Sequence, residues 1–529
     1  MPLEFNHELW INKLLVVCIV MALLALLLAL TISKLSNNDI WQHLKNGQII
    51  LETRRFQYHD PYSCSAEGTP WMNEPWFSGV VFYIIYALCG VNGIIYLKSL
   101  SIILMVALVL ITCHRLKIDL SLSVPLTVLM IFNVGVRFLA RNEIFVYIFI
   151  AAYFLILTEY KYRHAHWRVL IMLPVIQIFW SNMHGSFIVG LFIVAIFICS
   201  EALRLCRDRV QFKRLGPVCI VFLITLCVCM LNPYGYRLYF QPFKVVFSHS
   251  DFIKNIYEWK SPFESSVFMS YYAFRYYIIW MVLLVLSFIV NIKHFDLFHF
   301  FLSAFFFIMA FKMHRNITFF TIATCPIMAL NFQQAGEDYL YLPPDQKARE
   351  RIGAGVKLVI LILLILLVRV SYAHGYIFRK NFSKPIGLGI ASNMPVKATE
   401  YIKENHIKGC CFNSYTYGTY LIFHCFPETR VIIDSRAEHV YSVEFYRRYN
   451  KALYDLDEFK SLLEEFSVEY ILLKYRSQYL VAHWTYLHES SQWALVYYDD
   501  TCALYLRRLP EYAELIDRDE YKNDDKLLF

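Results

Sequence analysis

Long apolar runs separated by short polar stretches set the pattern of this chain. The runs fall at residues 14–33, 77–88, 94–113, 122–136, 142–158, 168–183, 186–203, 215–232, 276–291, 297–312, 316–331 and 356–373. Several are near-continuously apolar, as a helix in hydrocarbon must be. A span needs roughly 20 residues. The 77–88 run is short and is followed by Gly90 and Gly93, so it reads as an interfacial segment or a half-helix. From about residue 385 the pattern changes. A helix at 396–405 leads to a strand at 409–413, then a short helix after Tyr415 and a strand at 430–434. Helices at 441–454 and 456–466, a strand at 468–474, a further helix and strands near 494–498 and 503–507 complete it. Alternation of this kind predicts an α/β layer. The expected fold class is an α-helical polytopic membrane protein of about 11 transmembrane helices, with a C-terminal extracytoplasmic α/β domain. The division falls at residues 1–374 and 375–529, with outer loops at 34–93 and 233–275.

Composition agrees. Of 529 residues, 58% are hydrophobic and 17% charged, against about 25% charged in soluble domains. The first apolar run is long and lacks a small-residue cleavage site, so it reads as a retained helix rather than a signal peptide. The fourteen cysteines show no CxxC pair or zinc spacing. Cys410, Cys411, Cys425 and Cys502 fall in the C-terminal segment, where spacing decides no pairing. A net charge of +8 with no basic–aromatic array gives no sign of nucleic acid.

Charge also orients the chain. Arg204, Arg207, Arg209, Lys213 and Arg214 form the densest short basic loop, which belongs in the cytoplasm. Counting outward from it, the N-terminus is inside and the C-terminal domain outside, provided 77–88 does not cross. The expected location is the cell inner (cytoplasmic) membrane, crossed many times. The scheme also gathers the polar clusters on the outer side.

The first outer loop is dense in groups that can do chemistry: Asp39, His43, Asp60 and Glu74, with Trp41, Trp71 and Trp76 among them. The plainer reading of Asp39 is a helix cap, since Asn38 or Asp39 opens the amphipathic segment 40–51. Asp60 and Glu74 sit on turns rich in Pro and Gly, which hold side chains at fixed positions. Three acids in one loop can supply a general base, a ligand for a divalent metal such as Mg or Mn, or an acceptor for sugar hydroxyls. Elsewhere, VRFLARNE (136–143) puts Arg137 and Arg141 between two apolar runs, and Lys312, His314 and Arg315 repeat the anomaly. One such cluster is adequately read as arginines snorkelling to lipid phosphates. Two clusters from distant helices point to a phosphate site, because arginine binds phosphate through two N–H groups at once. WSNMHGSF (180–187) is a tight turn that would aim Asn182 and His184 into the same outer vestibule; polar caps on a turn are the plainer account. NPYG (232–235) ends a helix at Pro233. Glu258 and Trp259 lie in the long outer loop, of a length often found in functional lids. IIDSRAE (432–438) ends a strand with exposed charges, where α/β sheets bind ligands, or else forms a salt bridge that closes the domain.

Together, DIWQHLKNGQII, HDPYS, GTPWMNEPW, WSNMHGSF, LNPYG with IYEW, and NSYTYGTYL with VIIDSRAE cover nearly the whole chain in order. In that arrangement the chain resembles bacterial multi-pass membrane glycosyltransferases of the GT-C superfamily. The resemblance implies a polyprenyl-phosphate sugar donor whose phosphate lies at the outer membrane face. It also implies a catalytic acid in the first outer loop: Asp39, with Asp60 or Glu74 as the second acid. Family members often carry Trp-Trp or Trp-His here, whereas this chain has Trp41-Gln42-His43, which leaves the role of His43 open. The expected activity is hexosyl transfer with inversion to a glycan, lipid or protein acceptor. The expected donor-binding residues are His43, Arg137, Arg141, His184, Glu258, Lys312, His314 and Arg315. The rivals are a transporter or flippase of lipid-linked glycans, which would usually show inverted repeats, and a non-catalytic relative.

Overall fold

Apolar runs become helices almost run for run in the computed structural model, which describes residues 7–205, 212–241, 243, 257–264, 273–339, 345–374, 386–475 and 480–521. Arg207 and Arg209 of the basic loop, and residues 244–256 and 265–272 of the long outer loop, lie outside the described residues. In chain order the first helices are α1 (His7–Thr31), α2 (Asp39–Thr53), α3 (Trp76–Arg115), α4 (Leu120–Val134), α5 (Glu143–Tyr162), α6 (Met172–Met183), α7 (Ile188–Leu205) and α8 (Phe212–Val228). They are followed by α9 (Ala273–Val290), α10 (Leu297–Lys312), α11 (Ile317–Tyr339) and α12 (Gln346–His374). The 77–88 and 94–113 runs join in α3, whose helical backbone breaks at Gly90 (φ 61°, ψ −158°), a conformation that glycine adopts without a Cβ penalty.

Contacts divide the chain into two units. One comprises Met1–Leu35, Cys89–Tyr239 and Ile256–Gly389. Among its described residues and those of α3, six helical stretches are long and apolar enough to cross a bilayer: Trp10–Thr31, Trp76–Arg115, Leu120–Arg137, Glu143–Tyr162, Gly185–Arg204 and Ala348–Ala373. Four apolar helices are shorter: Trp167–Met183, Arg214–Val228, Phe274–Val290 and Leu297–Lys312. α1 packs along α12. Only 11% of the α12 span is buried, so its exposed Val359, Ile362, Leu363 and Leu366 form an apolar face suited to lipid. Polar side chains join helices inside the unit, as in membranes generally. Tyr153 donates its hydroxyl to Gln177 Oε1 at 2.5 Å, and Gln177 Nε2 donates to the Phe187 carbonyl at 2.9 Å. Trp280 Nε1 donates to Thr324 Oγ1 at 2.9 Å.

The other unit comprises Ser36–Leu88, Phe240–Asn255 and Ile390–Phe529, so the first polar loop groups with the C-terminal segment. Its elements are α2, the start of α3, α13 (Val396–Glu404), β1 (Gly409–Asn413), α14 (Gly418–Cys425), β2 (Thr429–Val431), α15 (Val443–Ala452), α16 (Leu456–Glu465), β3 (Tyr470–Lys474), α17 (Val481–Glu489), β4 (Trp493–Tyr498), β5 (Cys502–Arg507) and α18 (Ala513–Asp519). The sheet runs β2-β1-β3-β5-β4, with β2, β1 and β3 parallel and β5 and β4 antiparallel. The expected strand at 430–434 stops at Val431. Beyond it the side chain of Asn413 takes over, donating Nδ2 to the Ile433 carbonyl at 2.8 Å and accepting from the Ile432 N–H at 3.1 Å.

Residues 62–65 of the polar loop lie against the free edge of β2. Ser63 forms a parallel bridge with Val431. The Val431 N–H donates to the Tyr62 carbonyl at 3.1 Å, and the Cys64 N–H donates to the Val431 carbonyl at 3.0 Å. Cys64 and Cys410 form a disulfide, a pairing that residue spacing alone did not indicate. α2 crosses the start of α3 backbone to backbone at two glycines. A Cβ on Gly47 would collide with the Gly79 carbonyl, and one on Gly79 would sit 2.7 Å from the His43 carbonyl oxygen.

Candidate functional site

VRFLARNE folds as a 3-10 turn, Gly135–Arg137, and a short loop that ends where Glu143 opens α5. The loop buries Phe138 and Ala140, and the flanking arginines reach charged partners. Arg137 pairs with Glu143 through Nη2 and with Glu258 Oε1 through Nη1, the latter at 2.8 Å. Arg141 Nη1 donates to both oxygens of Glu258 at 2.8 Å. Arg315, from the 3-10 turn after α10, reaches Glu143 Oε1 at 2.5 Å, and its guanidinium lies 5.9 Å from the Trp259 ring centre. Tyr147 donates its hydroxyl to Glu143 Oε2 at 3.4 Å.

Three guanidinium groups thus share two carboxylates, leaving one positive charge in excess. The cluster is layered. The Arg137–Glu143 pair is 6% exposed on each side, whereas the side chains of Arg141, Arg315 and Glu258 are 20–26% exposed. Burial by itself would raise the Glu258 carboxyl, but Arg137 and Arg141 outweigh it and hold it well below its ordinary value. The outer layer is therefore a fixed lattice of charge whose surplus suits an anion such as phosphate.

Other expected members fall as follows. His184 is close enough to Glu143 to interact electrostatically, and its Nδ1 accepts the Ser186 N–H at 2.9 Å. His314 donates its backbone N–H to the Lys260 carbonyl at 2.9 Å, which ties the Arg315 turn to the Glu258 turn. Lys312 is exposed at the end of α10. Asn182 does not open into a vestibule. It is buried and accepts from Asn232 Nδ2 at 3.0 Å, so WSNMHG and NPYG brace one another. Glu143 is the member that sequence reading passed over, although it closes the VRFLARNE motif.

In the second unit, Asp39 is the first residue of α2 and half-buried. Asn38 makes no side-chain capping bond; its carbonyl instead accepts from Thr419 Oγ1 at 2.7 Å. An acid in the first turn is favoured by the helix dipole. Trp41 is wholly buried with its ring 4.7 Å from that of Tyr420, and His43 is buried near Phe82. Glu74 is buried just ahead of α3.

Asp60 belongs to a buried triad. Arg436 Nη1 lies 2.5 Å from Asp60 Oδ1, while its Nε and Nη2 donate to Asp434 at 2.8 and 2.6 Å. Asp60 also accepts the backbone N–H groups of Tyr62 and Ser63 at 3.1 and 3.2 Å. Tyr441 donates its hydroxyl to Asp434 Oδ2 at 2.6 Å. The guanidinium stacks 4.9 and 5.0 Å from the ring centres of Tyr62 and Trp71. Burial would lower the Arg436 pKa; Asp434 and Asp60 overcome it and raise the group well above its ordinary value. Asp434 and Arg436 of IIDSRAE are therefore not exposed at a ligand crevice; they form an internal salt bridge. Among the described residues no three His, Cys, Asp or Glu side chains gather as a metal-ligand set, and Glu143 and Glu258 are already paired to arginine.

No protein-family model and no curated protein sequence matches the chain. Solved structures do. The archaeal oligosaccharyltransferase AglB from Archaeoglobus fulgidus, in complex with an inhibitory peptide and a dolichol-phosphate, is 11% identical over 89% of this chain and 70% of its own, with a TM-score of 0.59. ArnT from Cupriavidus metallidurans bound to undecaprenyl phosphate is 10% identical over 95% of this chain and 99% of its own, with a TM-score of 0.53. The arabinofuranosyltransferase AftD from Mycobacteria is 10% identical over 94% of this chain and 41% of its own, with a TM-score of 0.57. At such identities the shared property is the fold, which in this chain combines long apolar helices with a small C-terminal sheet.

Proposed function

We propose that the chain is an inverting glycosyltransferase that moves a sugar, of hexose type, from a polyprenyl-phosphate donor to an acceptor hydroxyl at the extracytoplasmic membrane face. The observation that carries this is the cationic cluster of Arg137, Arg141 and Arg315 around Glu143 and Glu258, in a fold shared with an oligosaccharyltransferase solved with a dolichol-phosphate and with ArnT solved with undecaprenyl phosphate. In the proposed reaction the arginines hold the donor phosphate. Asp39 takes the proton of the acceptor hydroxyl, and the acceptor oxygen bonds to the anomeric carbon from the face opposite the phosphate. The anomeric carbon–oxygen bond to phosphate breaks, and its electron pair leaves with the lipid phosphate. That departure adds negative charge, which cations already fixed in place stabilise without reorganising.

Glu143 and Glu258 keep three like charges close together before the donor arrives. Glu74 is the second acid and positions the acceptor. Asp60, enclosed by Arg436, acts as a positioning residue for the loop. A divalent ion finds no ready ligand set among the described residues, so the scheme gives it no step. The test is turnover of a radiolabelled polyprenyl-phosphate sugar by the purified protein. Labelled glycoside is the expected product, and movement of intact lipid-linked sugar between leaflets without bond cleavage would establish the transporter instead.

A further inference from the structure

We propose a second phosphate site, at the far end of α5, that takes the headgroup of an anionic membrane lipid. Lys161 lies 18 residues beyond Glu143 on this helix, a rise of about 27 Å. The hydrocarbon layer is roughly 30 Å thick, so the two ends of α5 reach opposite membrane surfaces.

At the Lys161 end the structure holds a cavity of about 280 Å³ between α5, α7, α8 and the Asp296 turn. Lys161, Arg204 and Arg214 line it with Glu201 and Asp296. Lys161 takes up both acids: its Nζ is 2.8 Å from Glu201 Oε1 and 2.8 Å from Asp296 Oδ2. The two arginines are left to give the cavity its sign. Arg214 makes no ion pair among the described residues; its Nη1 lies 2.5 Å from His164 Nδ1, its Nη2 donates to the Tyr160 carbonyl, and its guanidinium is 4.6 Å from the Tyr160 ring centre. Arg204 is exposed and has no ion pair among the described residues.

A guanidinium oriented in advance, beside a second one, is what a phosphate oxygen pair needs. The rest of the wall is apolar: Phe197, Leu215 and Val218. A cation-rimmed pocket between helices at a membrane surface suits a lipid headgroup, with acyl chains lying along the apolar side. Its volume of about 280 Å³, just below the roughly 300–1,000 Å³ usual for ligand sites, accommodates a headgroup and not a whole lipid.

The test uses the full chain in neutral detergent. Thermal unfolding is followed while phosphatidylglycerol, phosphatidylcholine or inorganic phosphate is titrated, for wild type, Arg204→Gln and Arg214→Gln. Phosphatidylglycerol should raise the wild-type midpoint, and each substitution should weaken the apparent affinity about fivefold. If inorganic phosphate alone reproduces the shift and the substitutions abolish it, the phosphate site stands and its source is soluble. Because Arg214 also braces Tyr160, Arg204→Gln is the deciding variant. The site is overturned if no ligand shifts the wild type, or if Arg204→Gln responds as the wild type does.

Discussion

Arg436 and Asp60, 376 residues apart in the chain, meet as a buried ion pair at 2.5 Å. Arg436 is the only cation in its triad, so removing it strands two carboxylates in a buried site. Arg436→Met is expected to destabilise the protein by about 3–5 kcal/mol. Asp60→Asn should cost less, because Arg436 keeps both bonds to Asp434. Chemical unfolding of the two variants in detergent measures the difference, and an equal loss for both would contradict the triad.

The Cys64–Cys410 disulfide closes a separation of 346 residues. Disulfides persist in oxidising compartments, in keeping with the proposed extracytoplasmic position of this unit. Mass spectrometry of unreduced protein should find the two peptides linked. Cys64→Ser should lower stability by about 2–5 kcal/mol. Finding both thiols free in protein taken directly from membranes would oppose the assignment.

Glu258 gives a pH signature. Its folded pKa lies well below the ordinary 4.5, with Arg137 and Arg141 overcoming burial. A depressed carboxyl contributes stability above its unfolded pKa and loses it as pH falls toward the folded value. The stability gap between wild type and Glu258→Gln should therefore be full at pH 7 and narrow below about pH 4.5. Unfolding midpoints measured from pH 7 downward decide it; a gap that widens in acid is the contrary result.

Asp39→Asn keeps the shape of the side chain and removes the base. Sugar transfer should fall by about 100-fold or more, with only a small drop in the unfolding midpoint from the charge lost at the start of α2. A variant that transfers at the wild-type rate would remove Asp39 from the mechanism.

Gly47 and Gly79 set how closely α2 and α3 approach. Gly47→Ala places a methyl group against the Gly79 backbone, which cannot swing aside as a side chain does. It should cost about 1–3 kcal/mol, measurable as a lowered midpoint, whereas Gly353→Ala, in a helix where a Cβ meets nothing within 4 Å, should leave the midpoint unchanged or raise it slightly.

The long helices were legible because each follows an apolar run. The strands were legible within a few residues because the C-terminal segment alternates. The grouping of Arg137 and Arg141 with Arg315 could also be anticipated, as two cationic clusters expected on one side of the membrane, but not their pairing with Glu258. The pairings could not be read. Periodicity reports which face of an element is buried but not which distant residue it meets, so Asp60–Arg436, Cys64–Cys410 and the service of Glu143 to two arginines emerge only in three dimensions. The same limit explains Asp434 and Arg436. A charged motif after a strand looks the same in sequence whether it faces solvent or a buried partner.

The bridge between Ser63 and Val431 fastens the polar loop to the edge of the C-terminal sheet. Chimaeras among relatives must therefore exchange residues 36–88 and 390–529 as one cassette. A tail transplanted alone would bring an edge shaped for a loop its new host does not possess.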